Sequence, residues 1–205
     1  MVKDFSNSVF INCPFDDDFK ELLHAIIYTV YKCGFVPRSA MEEDNALINR
    51  LSKIESIIEQ CRFGIHDLSR TEINKSSLPR FNMPFELGIF FGAKKFGDEQ
   101  QKTKVALVLE KQKYLYQQYI SDLNGIDTKA HENSIEKIIK IVRNWLQSAS
   151  GRKTIDGHLR IIDDYTNFRD VVLPGAANKL GLETNDVPFN DYCLIVEFSL
   201  YPFME

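Results

Sequence analysis

The chain lacks the marks of several functional classes. Its four cysteines, Cys13, Cys33, Cys61 and Cys193, are scattered with no CxxC spacing. That removes the usual zinc and dithiol arrangements and points to reduced core thiols. No window approaches the roughly 18 apolar residues of a membrane span, and the N-terminus, MVKDFSNSVFINCPFDDDFK, has no long apolar run of the secretory type. The expectation is a cytoplasmic protein with no membrane partner. Positive charge is not in excess either: 25 Lys and Arg stand against 29 Asp and Glu, a net charge of −4. Duplex nucleic acid, whose binding requires phosphate neutralisation, is therefore an unsuitable partner. Neither GxGxxG nor GxxxxGK(S/T) nor GxSxG occurs, which disfavours a Rossmann dehydrogenase, a P-loop ATPase and a serine-elbow hydrolase.

What is present is a folding composition. Over 205 residues the chain is 44% hydrophobic and 26% charged, with 15 Phe and 8 Tyr, enough for one sizeable core and a small appendage. SVFINCP (8–14) reads as a buried strand stopped by Pro14. DDDFKELLHAIIYTVYKCG follows as a helix, opened by acids and closed at Gly34. FVPRSA offers a second strand, with Pro37 suggesting an edge position. Leu47, Leu51, Ile54 and Ile58 give 46–61 one apolar helical face. CRFGIHDLS is a third strand ending near Asp67, TEINKSSLPR a polar loop, and RFNMPFELGIFFGAKKFG a third helix. KVALVLE (104–110) is the clearest buried strand, and HENSIEKIIKIVRNWLQSA an amphipathic helix with Ile135, Ile138, Ile139, Val142 and Leu146 on one face.

Strands alternating with helices imply an α/β fold with a doubly wound, mainly parallel sheet over 1–150. After the SASGRKTIDGH break, 151–205 reads as a mostly helical appendage packed on the core. LRIIDDYTNFRDVVLPGAANKLG is helical up to Pro174, and DYCLIVEFSLYPF is a final strand or an apolar docking segment.

Ligands of open parallel sheets settle beyond the carboxyl ends of the strands. The residues just past each expected strand are polar: Asn12, Phe15 and Asp16; Arg38 and Ser39; Asp67, Ser69 and Arg70. Asp16, Asp17 and Asp18 read most simply as helix N-terminal charge rather than a metal site, and no metal is expected. His66 reads as a core histidine. In the third helix Asn82 suits the N-cap and Pro84 the first turn. Gly88 and Gly92 share one face, where they would let the backbone approach the sheet or a ligand. Glu86 is then the anomaly, an acid among Phe85, Leu87, Ile89, Phe90 and Phe91. It is either an acid favoured by the helix dipole or an enclosed carboxylate with a chemical task.

The order of these residues resembles a family. HDLSR, a variable loop and NMPFELGIFFGAKKFG look like the Asp-Leu-Ser/Thr, loop, Asn-x-x-x-Glu-Leu-Gly pattern of nucleoside 2-deoxyribosyltransferase-like proteins and the related bacterial TIR-like proteins. VFINCPFDDDF is similar to the TIR-like first strand and loop, although NCPFDDD stands where many members have Ser-Tyr. The likeness covers residues 8 to about 110. It implies a flavodoxin-like sheet and action on the N-glycosidic bond of a nucleoside or nucleotide, NAD included, as substrate rather than cofactor. It maps the catalytic carboxylate onto Glu86 and the sugar-contacting or orienting acid onto Asp67. Asn12 and Phe15 fall in the loop lining the nucleoside pocket, with Arg38 placed to meet a phosphate and Ser39, Ser69 and Asn82 around the ligand. Self-association into a homo-oligomer follows from the class. The alternative is a TIR-like module that senses a nucleotide or assembles without catalysis. A phosphorelay receiver using Asp67 is disfavoured, because NCPF separates the acids from the first strand.

Overall fold

The computed structural model describes residues 3–70, 81–123 and 125–202; the polar stretch 71–80, with Pro79, lies outside them. Strands β1 (Ser8–Asn12), β2 (Val36–Arg38), β3 (Phe63–Asp67), β4 (Val105–Glu110) and β5 (Lys129–Ala130) form one sheet in the order β2-β1-β3-β4-β5. Every pairing is parallel. This is a doubly wound α/β sheet of the flavodoxin-like kind. Helices α1 (Asp17–Lys32) and α4 (Ile135–Ser150) cover one face, and α2 (Arg50–Glu59) and α3 (Asn82–Phe96) the other. Pro37 lies in β2, at the sheet edge, where its missing N–H leaves no central ladder position empty. β5 was not anticipated, since two residues carry no periodicity to read.

Side-chain alternation divides the core. Val9, Ile11, Phe63, Ile65, Leu107 and Leu109 face α1 and α4, whereas Phe10 meets Ile54, Ile57, Ile58 and Phe90 on the other side. In α2 the expected stripe shifts. Ile54, Ile57 and Ile58 are buried while Leu47, ahead of the Asn49 cap, and Leu51, in the first turn, are exposed.

α1 starts at the Asp16 cap and ends just before Gly34, whose φ of +82° suits a residue without Cβ. Every residue from Leu22 to Tyr31 is buried, so this helix has no solvent face along that stretch. The segment after residue 150 supplies the cover. α5 (His158–Asn167) runs through a π-helical turn, Phe168–Val172, into α6 (Leu173–Leu180). The chain therefore stays helical past Pro174, which sits in the first turn of α6 where its missing N–H is tolerated. DYCLIVEFSLYPF is not a strand. α7 (Phe189–Leu200) buries Phe189, Tyr192, Cys193 and Val196, a period of 3.6.

Polar contacts fix this tail to α1. The Tyr192 hydroxyl donates to His24 O (3.1 Å) and the Tyr201 hydroxyl to Tyr31 O (2.9 Å). Arg152 donates to Gly34 O (2.6 Å) and Asn7 Oδ1 (2.7 Å) and lies 3.9 Å over the Phe35 ring. The hydrophobic cluster is continuous from the sheet through α1 to α7. Among the described residues no helix is long and apolar enough to cross a membrane.

One glycine is required by packing on the α3 side. A Cβ on Gly64 would lie 2.7 Å from His66 Nε2 and 2.9 Å from the Phe90 ring, and both side chains are fully buried. Gly64→Ala is expected to lower stability in urea denaturation by about 1–3 kcal/mol, the range for overpacking a filled core. An unchanged midpoint would show that His66 and Phe90 can move aside.

Candidate functional site

The strand order reverses at β1, between β2 and β3, and this switch point is where open α/β sheets present a crevice. Asn12 ends β1 there. Its side-chain amide donates to Met83 O in α3 (2.8 Å) and lies 3.1 Å from His66 Nδ1 on β3. One buried amide thus holds the start of α3 against two strand ends. With Nδ1 accepting from Asn12, the neutral ring carries its proton on Nε2. That atom has no hydrogen-bond partner among the described residues. Burial lowers the His66 pKa to about 3, and its edge-on contacts with Phe10 and Phe90 make it the core histidine its sequence context suggests.

α3 does not start as expected. Phe81 occupies the N-cap without a side-chain hydrogen bond, and Asn82 is the first helical residue, exposed to solvent. A residue already in helical geometry cannot reach back to cap the first turn, so Asn82 is neither cap nor part of an enclosed pocket. Nor do the glycines narrow a gap to the sheet. Cβ atoms built on Gly88 and Gly92 would meet nothing within 4 Å, because that face of α3 turns outward with Phe85 and Phe96.

The inward stripe is Met83, Glu86, Leu87 and Phe90, spaced i, i+3, i+4, i+7. Helical periodicity alone therefore carries Glu86 to the sheet side. Its residue exposure is 7%, and among the described residues its carboxylate makes no hydrogen bond or ion pair. Burial raises its pKa from 4.5 to about 7, opposed by the more distant Arg50. An acid governed by the helix dipole would move the other way, and Glu86 lies beyond the first turn, which contains no acid. The Cys13 thiol, just past β1, is pushed well above its usual range by burial and then by Asp67, Glu86 and Asp16. All three acids are near enough to oppose ionisation of that thiol.

Asp67 is fully buried. Its Oδ1 accepts the Ser69 N–H (2.9 Å), and Oδ2 lies 3.0 Å from His131 Nε2. His131, just past β5, accepts the Asn133 N–H on Nδ1 (3.0 Å), which places its proton on Nε2. That single N–H faces both Ser69 Oγ (2.9 Å) and Asp67 Oδ2. It aligns with the first, leaving Oδ2 without a well-directed hydrogen bond. Asp67 and Ser69 therefore brace the end of β3 against β5 rather than hold ribose hydroxyls. His131 escaped sequence reasoning because β5, which positions it, is too short to detect.

Arg38 and Ser39 are also internally engaged. The Arg38 guanidinium meets Glu42 (2.7 and 2.9 Å) and Gln60 (3.2 and 3.3 Å), so its fork is not held out to a phosphate. Ser39 is fully buried and forms a capping box with Glu42. Asp16 caps α1 and pairs with Arg70 (2.9 Å). Phe15 is partly exposed and lines a cavity between α1 and α7. Among the described residues no group of three or more His, Cys, Asp or Glu is placed to hold a metal. Of the expected ligand-facing acids, the structure leaves two with an unused oxygen among the described residues: Asp67, whose buried Oδ2 has no hydrogen bond, and Glu86, whose carboxylate makes none.

No known protein-family model and no curated protein matches this chain, so the chemistry rests on this geometry.

An unpartnered buried acid weakens the fold as it ionises. With a folded pKa near 7 and an unfolded one near 4.5, the native state binds more protons between these values. The Glu86 contribution to stability is then fully present below pH 4.5 and is lost as pH rises through 7, by about 3 kcal/mol. Glu86→Gln is expected to remove that slope, so that the variant gains on the wild type in chemical denaturation at pH 8 but not at pH 4.5. Parallel pH profiles would mean that the carboxylate has a compensating partner.

Proposed function

We propose that the protein cleaves or transfers at the N-glycosidic bond of a nucleotide, NAD being the favoured substrate, with Glu86 as the catalytic carboxylate. The observation that carries this reading is a buried carboxylate at the sheet's switch point with no partner among the described residues and a pKa near 7. Such a group stands out because an enclosed acid is costly unless it has a task. Departure of the base leaves an oxocarbenium-like sugar. A carboxylate beside the anomeric carbon stabilises that positive charge or bonds to it, after which water or an acceptor base completes the reaction.

NAD is favoured as substrate on the resemblance to TIR-like proteins, and its leaving group asks little of the other acids. Asp67 is enclosed with Ser69 and His131, so it is not placed to protonate a leaving base. The nicotinamide of NAD needs no such proton. Its ring nitrogen is cationic while bonded to the sugar, and the bonding electron pair leaves it neutral. The likeness of residues 8 to about 110 to TIR-like and nucleoside 2-deoxyribosyltransferase-like proteins supports the same site. The roles first expected for Arg38, Ser39 and Asn82 are not part of the proposal.

Incubation of the full chain with NAD and a panel of nucleosides is expected to release nicotinamide or free base, followed by chromatography. Glu86→Gln is expected to lower kcat by about 10²–10³-fold, the usual effect of losing one charge-stabilising group. Since the carboxylate must be ionised, kcat/KM is expected to rise with pH through about 7 and then level. Unchanged turnover in Glu86→Gln would sink the proposal. Tight NAD binding without turnover would instead favour a nucleotide-sensing module.

A further inference from the structure

A cavity of about 230 Å³ lies on the α1 side of the sheet, across from α3 and Glu86, between α1 and the residues leading into α7. Ile27, Met41, Val187 and Phe189 wall it, and Phe15 stands at its margin. His24 also lines it, only 8% exposed. Its ring stacks on Tyr192 with centroids 3.9 Å apart and planes 13° from parallel. The Tyr192 hydroxyl goes to the His24 carbonyl, not the imidazole. Among the described residues the imidazole makes no hydrogen bond or ion pair, and its nitrogens are not among the polar atoms sealed off without a partner, so they are open to a ligand in the cavity.

We infer that this cavity binds a flat, uncharged nitrogen heterocycle, such as a free nucleobase or a pyridine carboxamide, whose donor and acceptor atoms pair with the ring nitrogens of His24. Three features select that class. The volume falls below the roughly 300–1,000 Å³ of sites for drug-sized molecules, so a single or fused ring fits and a whole nucleotide does not. Among the described lining residues the one cation is Lys20, which is bonded to Asn185 O and lies 3.8 Å from Asp186. With Asp17 also on the lining, a phosphate or carboxylate would meet repulsion. Apolar and aromatic walls suit a planar ring, and burial holds the His24 pKa down to about 4. The imidazole is therefore neutral near pH 7 and offers one N–H and one lone pair.

The site draws on α1, the turn after β2 and the approach to α7, so it exists only because the C-terminal helices pack on α1. It needs no chemistry at Glu86.

Isothermal titration of the full chain with nicotinamide, adenine and cytosine, with benzamide as the ring lacking a nitrogen, tests it. At least one heterocycle is expected to bind at micromolar to millimolar concentration, and nicotinamide more tightly than benzamide if it is that ligand. His24→Phe keeps a ring stacked on Tyr192 but removes the nitrogens, and is expected to weaken binding about tenfold. Met41→Trp, at a partly exposed margin position, is expected to block the cavity without disturbing the core, and serves if His24→Phe does not fold. Glu86→Gln is expected to bind with wild-type affinity, which separates this site from the one proposed for catalysis. No binding by any of the heterocycles, equal affinity in Met41→Trp and wild type, undiminished affinity in folded His24→Phe, or loss of binding in Glu86→Gln would each overturn the assignment.

Discussion

The structure depends on α1 being enclosed from both sides. A helix whose residues from Leu22 to Tyr31 are all buried cannot lie on the outside of a sheet, where one stripe faces water. α4 and the C-terminal helices remove that water. The segment 151–202 is therefore part of the same hydrophobic core rather than an ornament on it. Arg152, Tyr192 and Tyr201 reinforce the arrangement by satisfying carbonyls near the middle and end of α1. Imperfect closure of that contact near the start of α7 leaves the cavity in which His24 lies.

The other face is organised by a single amide. Asn12 joins the end of β1 to His66 on β3 and to the first turn of α3, and α3 then carries Glu86 inward at the next turn. Holding an unpaired carboxylate there opposes folding as it ionises, yet the surrounding contacts are sufficient to keep it. Stability set aside at one position in this way is the usual trace of a working site. By contrast, Asp67, Arg38 and Ser39 each lie at a strand end and each are absorbed by local hydrogen bonds. Position beyond a strand is not sufficient for contacting a ligand.

The contrast between legible and illegible features follows from the range of the forces involved. Buried strands and the α4 stripe could be read because apolar period and end residues are local signals. α7 was open to misreading because DYCLIVEF is apolar enough for either state, and only its docking against α1 selects the helical period. β5 and His131 left no local trace. Asn82 shows the reverse error, a good capping residue displaced by one position when Phe81 takes the N-cap instead.

By itself the sequence determined the alternation of strands and helices, the edge place of β2 and the anomaly of an acid at position 86. These depend on residue type and spacing along a few turns. Tertiary structure alone decided that Glu86 finds no partner there, that Asp67 and Ser69 meet His131, and that His24 borders a cavity with its nitrogens unused. The last two of those facts join segments from about 60 to more than 160 residues apart. Hydrogen bonding and burial act through space, and no pattern along the chain specifies which distant group will meet a given side chain.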